Sequence, residues 1–148
     1  MFIEVVAKAL EEAKVPFAIV GGFAVALYGF PRGTLDVDLV IQWSKEHLEL
    51  AEKALKKIGL VSRLPLDSQS VFNFRDEYIQ NRNLIAWNFY NPLNPAEQVD
   101  LIITYNLKPS EIVTRKSLPV LSKKSLIAMK KASGRPQDLE DLKFLEGK

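Results

Sequence analysis

Phe2, Val5, Val6, Ala9, Leu10 and Ala13 recur at the three- and four-residue spacing of an α-helix, with Glu4, Lys8, Glu11 and Glu12 between them. Pro16 ends that helix, and Phe17-Ala18-Ile19-Val20 is a short apolar run suited to a buried strand. Gly21-Gly22 turns the chain into a short helical stretch over 23–28. The glycines and proline of residues 29–34 then predict a loop. Asp36 and Asp38 alternate with Val37, Leu39 and the apolar pair Val40-Ile41, as a half-buried strand requires. Ser44 is a good cap for a helix over 45–58, whose Leu48, Ala51, Leu55 and Ile58 form one stripe before Gly59.

Farther along the pattern is less sharp. Residues 60–76 predict little beyond a strand near 71–74. Residues 84–90 read as a strand, 91–95 as a tight turn, and 99–104 as its hairpin partner. Ser122 can cap a helix over 123–133, which Gly134-Arg135-Pro136 breaks. Pro136 suits the first turn of a last helix with Leu139, Leu142 and Leu145 facing inward. No repeat or low-complexity linker divides the chain. The expected architecture is a single α/β (α+β) domain over 1–148, a mixed sheet flanked by helices, with helices at the C-terminal end.

Asp36 and Asp38, two apart on a strand, point to one face roughly 6–7 Å apart. Asp100 opens a similar run, Asp100-Leu101-Ile102-Ile103. On an adjacent strand, about 4.8 Å away, it would complete a cluster of three carboxylates. Hard divalent cations take such oxygen ligands, and paired ions about 3.5–4 Å apart serve in-line phosphoryl chemistry. Gly21-Gly22 adds a second element, because glycines allow the backbone to approach a phosphate closely.

Composition narrows the chemistry. The chain has 148 residues, enough to bury a core without staples. With 20 basic and 18 acidic residues its net charge of +2 makes no general case for nucleic-acid binding. No cysteine is present and His47 is the single histidine, so thiolate and multi-histidine metal sites are excluded. Oxygen ligands then favour Mg²⁺ or Mn²⁺. The N-terminal residues carry no signal-peptide pattern and no apolar run reaches the length of a membrane span, so a cytoplasmic protein without membrane contact is expected.

Gly21-Gly22, the stretch Arg32-Gly33-Thr34-Leu35-Asp36-Val37-Asp38-Leu39-Val40, and Val99-Asp100-Leu101-Ile102 together resemble the nucleotidyltransferases of the DNA polymerase β superfamily. The tail from Leu126 through Lys130, and from Gly134 to Leu139, resembles the compact bacterial branch related to lincosamide nucleotidyltransferases and AbiEii-type toxins. The resemblance implies an NTP donor, two metal ions on the aspartates, and pyrophosphate as product. It implies that Asp36 and Asp38 hold the metals gripping the triphosphate. Asp100 would bind the metal that activates an acceptor hydroxyl, or serve as base. Gly21 and Gly22 would cradle phosphates; Arg32, Thr34 and Lys130 would contact the nucleotide. Where many relatives have Gly-Ser, this chain has Gly22 and offers only backbone.

Each residue also has an ordinary reading. The aspartates could end strands in solvent, Arg32 could pair with one of them, and Thr34 could bond backbone. Lys130 and Lys131 could be solvated, and Arg135 could pair with Asp138 to fix the last helix. Phe23, Phe30, Trp43, Trp87, Tyr90 and Tyr105 are expected in the core or on its rim. His47 is expected on a helix surface. Arg115-Lys116 and Lys123-Lys124 form either a solvated face or an RNA contact.

The leading expectation is an enzyme that moves an NMP from an NTP to an unidentified hydroxyl or phosphate acceptor, a small molecule or RNA. A small acceptor would then sit at an interface between two copies, since no separate acceptor domain is seen. A toxin acting on tRNA beside a cognate antitoxin, a phosphohydrolase, and a noncatalytic nucleotide-binding module are the alternatives.

Overall fold

The computed structural model describes residues 1–30 and 36–147. Seven strands form one open mixed sheet among these residues: β1 (Phe17–Val20), β2 (Val37–Ile41), β3 (Val61–Ser62), β4 (Ala86–Asn91), β5 (Asn94–Ile102), β6 (Ile112–Arg115) and β7 (Leu118–Leu121). Their order is β3-β4-β5-β2-β1-β7-β6. All four residues of β1 are buried, as expected for a strand with neighbours on both sides and helices on both faces. It runs antiparallel to β2 and parallel to β7, while β2 runs parallel to β5.

Side-chain alternation divides the sheet into two faces. Trp87 and Phe89 of β4, Val99 and Leu101 of β5, and Val37, Leu39 and Ile41 of β2 are buried on one face. The opposite face carries Asn88 and Tyr90, Gln98 and Asp100, and Asp38, all half-buried. The first face is a core; the second is polar where β4, β5 and β2 meet.

Seven α-helices flank the sheet among the described residues. α1 (Phe2–Glu12) packs on α3 (Lys45–Lys57), with Ile3, Val6 and Leu10 of the first and Leu48, Ala51 and Leu55 of the second buried, and α4 (Ser68–Asn73) packs on α3. α2 (Gly21–Leu27) lies against β1, β2 and β7, α5 (Arg75–Arg82) follows α4, and α6 (Lys123–Ser133) pairs with α7 (Pro136–Leu145). None of these helices is long and apolar enough to cross a membrane.

Several sequence expectations change. The strand expected near 71–74 is helical: Asp67 accepts from the backbone N–H of Ser70 at 2.8 Å, and the Ser70 hydroxyl returns a bond. That capping box starts α4, and Val71 enters the core from a helix. β5 begins at Asn94, inside the expected turn, because Asn91 pairs with Asn94 across Pro92-Leu93. The β6–β7 hairpin was not expected. Its turn uses Lys116 and Ser117 at φ 50° and 67°, without glycine or asparagine, and Pro119 sits within β7. Leu142 and Leu145 of α7 are buried as expected, but Leu139 is 53% exposed.

Candidate active site

The pairing of β1 with β2 sets the first acid in place. Val20, the last residue of β1, lies opposite Asp38, so the chain turns at Gly21 directly beside that carboxylate. Gly21 adopts φ +68°, a left-handed conformation costing other residues about 1–2 kcal/mol. A Cβ here would fall on Asp38 Oδ2 and lie 2.9 Å from its Cγ. The turn and the acid share this space because residue 21 has no side chain. The left-handed position is Gly21; Gly22 is half-buried within α2.

The second acid comes from β5. Its parallel register with β2 puts Val37 beside Val99, Asp38 beside Asp100, and Leu39 beside Leu101. Residues in register on neighbouring strands share a face, so the two carboxylates are neighbours. Asp36 is exposed and precedes the paired stretch of β2; its charge reaches Asp38 through space. Among the described residues no three His, Cys, Asp or Glu side chains converge tightly enough to cage one ion. Asp38 and Asp100 form an in-register pair, with Asp36 as an outlying third carboxylate. The Gly-Asp-Asp arrangement follows from two strand registers and one turn.

Electrostatics distinguishes Asp38. Burial, then the negative charges of Asp100 and Asp36, push its carboxyl up from the ordinary 3.8 to about 7. Lys130 and Arg135 pull the other way without cancelling the effect. A divalent cation fits this donor set: the ligands are all oxygen, and a cation would relieve the repulsion that raises Asp38.

Lys130, expected at the nucleotide, is 7% exposed. Its ammonium lies 3.1 Å from Asp138 Oδ1 and 3.0 Å from Asp141 Oδ2. Arg135 Nε donates to Asp138 Oδ2 at 2.9 Å, and the Arg135 backbone N–H reaches the same oxygen at 3.2 Å. The pair expected between Arg135 and Asp138 is therefore present and caps α7. Burial pushes Asp138 up, but hydrogen bonds from Arg135, Ser133 and Lys130 outweigh it and hold its carboxyl well below the usual range. Lys130 reaches Asp38 through its field, with its ammonium bound to two acids of α7. Arg32 and Thr34 lie outside the described residues.

The sequence reading passed over Asn88 and Arg63. Asn88 lies opposite Asp100 on β4 and donates from Nδ2 to Asp100 Oδ1 at 2.7 Å. Arg63 Nε donates to Asn88 Oδ1 at 2.8 Å, and the guanidinium sits over the Tyr90 ring, 4.3 Å from its centroid. A signal was available, since asparagine is uncommon in strands and Asn88 interrupts an apolar and aromatic run. His47 Nδ1 lies 3.0 Å from the Gln42 carbonyl oxygen.

No protein-family model matches this chain, and no curated protein matches it by sequence. Solved structures do. The lincosamide antibiotic adenylyltransferase LnuA, solved with lincomycin, superposes with a TM-score of 0.65 at 15% identity, covering 98% of this chain and 94% of LnuA. The antibiotic-resistance factor ANT(2'')-Ia, also solved with adenylyl-2''-tobramycin, gives 0.62 at 16% identity in that complex, over 97% of this chain and 84% of that one. A protein from Thermotoga maritima described as a candidate nucleotidyltransferase gives 0.59 at 15% identity, over 99% and 91%. Identities this low over nearly whole chains carry a shared fold. The chain has the nucleotidyltransferase fold, with lincosamide and aminoglycoside nucleotidyltransferases among its structural neighbours.

Proposed function

We propose that this chain is a metal-dependent nucleotidyltransferase that moves an NMP from an NTP to an acceptor hydroxyl or phosphate and releases pyrophosphate. The observation carrying this reading is the in-register pair Asp38 and Asp100 beside a left-handed Gly21 whose missing side chain makes room for Asp38. Asp36, Asp38 and Asp100 would hold Mg²⁺ or Mn²⁺, which supplies neutralisation of charge on the transferred group and the leaving pyrophosphate.

The remaining work belongs to the chain. Gly21 and Gly22 keep side chains away from the triphosphate so that backbone can approach it. Arg32 and Thr34 are proposed as further phosphate contacts, as the resemblance implies. Lys130 and Arg135 supply fixed positive charge behind Asp38, held by Asp138 and Asp141. Asp100 lies one strand beyond Asp38 on the side away from Gly21. It is therefore the acid facing an acceptor that approaches across β4, and it takes the acceptor proton. The related folds solved with lincomycin and adenylyl-tobramycin support a small hydroxylated acceptor.

The deciding experiment incubates the chain with labelled NTPs and Mg²⁺ alongside lincosamides, aminoglycosides and RNA. The expected result is transfer of label to one acceptor with matching pyrophosphate release, abolished by chelation. No transfer to any acceptor, together with NTP affinity indifferent to divalent ions, would overturn the reading.

A further inference from the structure

We infer that Arg63 and Asn88 are positioning residues for Asp100, forming a two-step relay that fixes which carboxylate oxygen is left open toward the metal and acceptor. The inference rests on the proposed role of Asp100. Asparagine has one acceptor oxygen and two amide hydrogens, and its orientation follows from its partners. Arg63 can only donate, so the oxygen of Asn88 must face it, 2.8 Å from Nε. The amide nitrogen then faces Asp100 Oδ1 at 2.7 Å, with Gln98 Oε1 at 3.2 Å as its other partner.

Arg63 is itself held twice. Its backbone N–H donates to the Asn88 carbonyl at 3.0 Å, and its guanidinium stacks over Tyr90. The bond from Asn88 commits Asp100 Oδ1, which leaves Oδ2 as the oxygen to offer a metal. A leucine at position 88 would keep the branching at Cγ and lose all three side-chain bonds. Asp100 could then rotate, and the pair with Asp38 would lose its fixed geometry. Outer partners that orient a ligand in this way typically contribute 10–100-fold to metal affinity or activity.

The test titrates Mn²⁺ calorimetrically into the full chain, comparing wild type with Asn88→Leu, Arg63→Ala, Gln98→Leu and Asp100→Asn. Asp100→Asn should weaken Mn²⁺ binding, and Asn88→Leu should weaken it by about 10–100-fold. Arg63→Ala should move in the same direction by less. Gln98→Leu, which removes a bond to Asn88 and leaves the Asn88–Asp100 bond in place, should bind as wild type. Arg63 is exposed, so its variant keeps the test intact if Asn88→Leu fails to fold. With an acceptor in hand, Asn88→Leu should lower kcat while the KM for NTP holds, a split that loosened packing would not produce. Wild-type Mn²⁺ affinity in both Asn88→Leu and Arg63→Ala, beside a weakened Asp100→Asn, would overturn the relay alone. Wild-type affinity in Asp100→Asn would overturn the reading of Asp100 and the relay with it.

Discussion

Two pairs of aspartates stand a short way apart and are treated in opposite ways. Asp138 and Asp141 are almost fully buried, yet Lys130 and Arg135 contact them directly and Asp138 stays ionised far into acid. Asp38 and Asp100 are only half-buried, but no lysine or arginine pairs with either among the described residues, and Asp38 is pushed up to about 7. Burial alone does not set the state of a carboxylate; the nearest cation does. The C-terminal helices bring their own counter-charge and form a closed structural unit. Among the described residues the strand pair has no contacting cation, which suits a site completed by divalent ions.

The comparison is broken most directly at Lys130. Lys130→Met should remove the ammonium that contacts both Asp138 and Asp141, and removing one partner from a buried pair costs about 3–5 kcal/mol. For a chain of this size that corresponds to a fall in melting temperature of roughly 6–20 °C. Thermal unfolding measures it, and a shift under 2 °C would show the cluster to be dispensable. The reverse holds at the strand pair. Asp100→Asn should reduce nucleotidyl transfer by about 10²-fold or more, the scale of acid–base catalysis, while NTP affinity stays within a few-fold. Pyrophosphate release beside an NTP titration checks this, and unchanged turnover would remove Asp100 from the site.

Gly21→Ala tests the space between turn and acid. Its left-handed backbone and the encounter with Asp38 should destabilise the fold by about 1–3 kcal/mol, while Gly22→Ala should be milder. Chemical denaturation distinguishes the two, and equal effects would return Gly21 to an ordinary turn.

The smallest effect is a pair of opposed pH slopes. Asp38 binds its proton more tightly folded than unfolded, so without divalent ions its contribution to stability rises as pH falls from about 7 toward 3.8. Asp138 is depressed, so its contribution is present above 3.8 and is lost as pH falls below that value. Asp38→Asn should therefore be relatively more stable than wild type at pH 8 than at pH 5. Asp138→Asn should flatten the loss in acid. Melting curves across pH that run parallel for wild type and Asp38→Asn would refute the repulsion.

Much of this was legible from the chain. Alternation around Asp38 and Asp100 marked their strands and polar positions, whereas Asp36, expected on the same strand as Asp38, precedes β2; Gly21-Gly22 marked the turn between β1 and α2. The adjacency of Asp38 and Asp100 was inferred from strand geometry, and the β2–β5 register supplies it. Other features were hidden for physical reasons. The start of α4 depends on a reciprocal bond between Asp67 and Ser70, easily mistaken for loop polarity. The Lys116-Ser117 turn uses left-handed residues that carry no turn signal. The relay through Asn88 needs a cross-strand register, which one sequence does not specify. Lys130 read either as a nucleotide contact or as a solvated lysine, because its acid partners lie eight and eleven positions away on the next helix.

The β2–β5 register also has a consequence for how this chain can change. Asp38 and Asp100 are far apart in sequence, and everything from α3 to β4 lies between them. Their spacing does not depend on the length of that excursion, because the β4–β5 hairpin and the parallel seam with β2 reset the register on the sheet itself. Residues can be added or lost after Arg63 and before β4, where α4, α5 and their joints sit, without moving one carboxylate relative to the other. A single residue inserted between Val99 and Asp100 would instead turn the acid to the apolar face. The fold separates a segment free to diversify from a few positions where the chain admits no change of length.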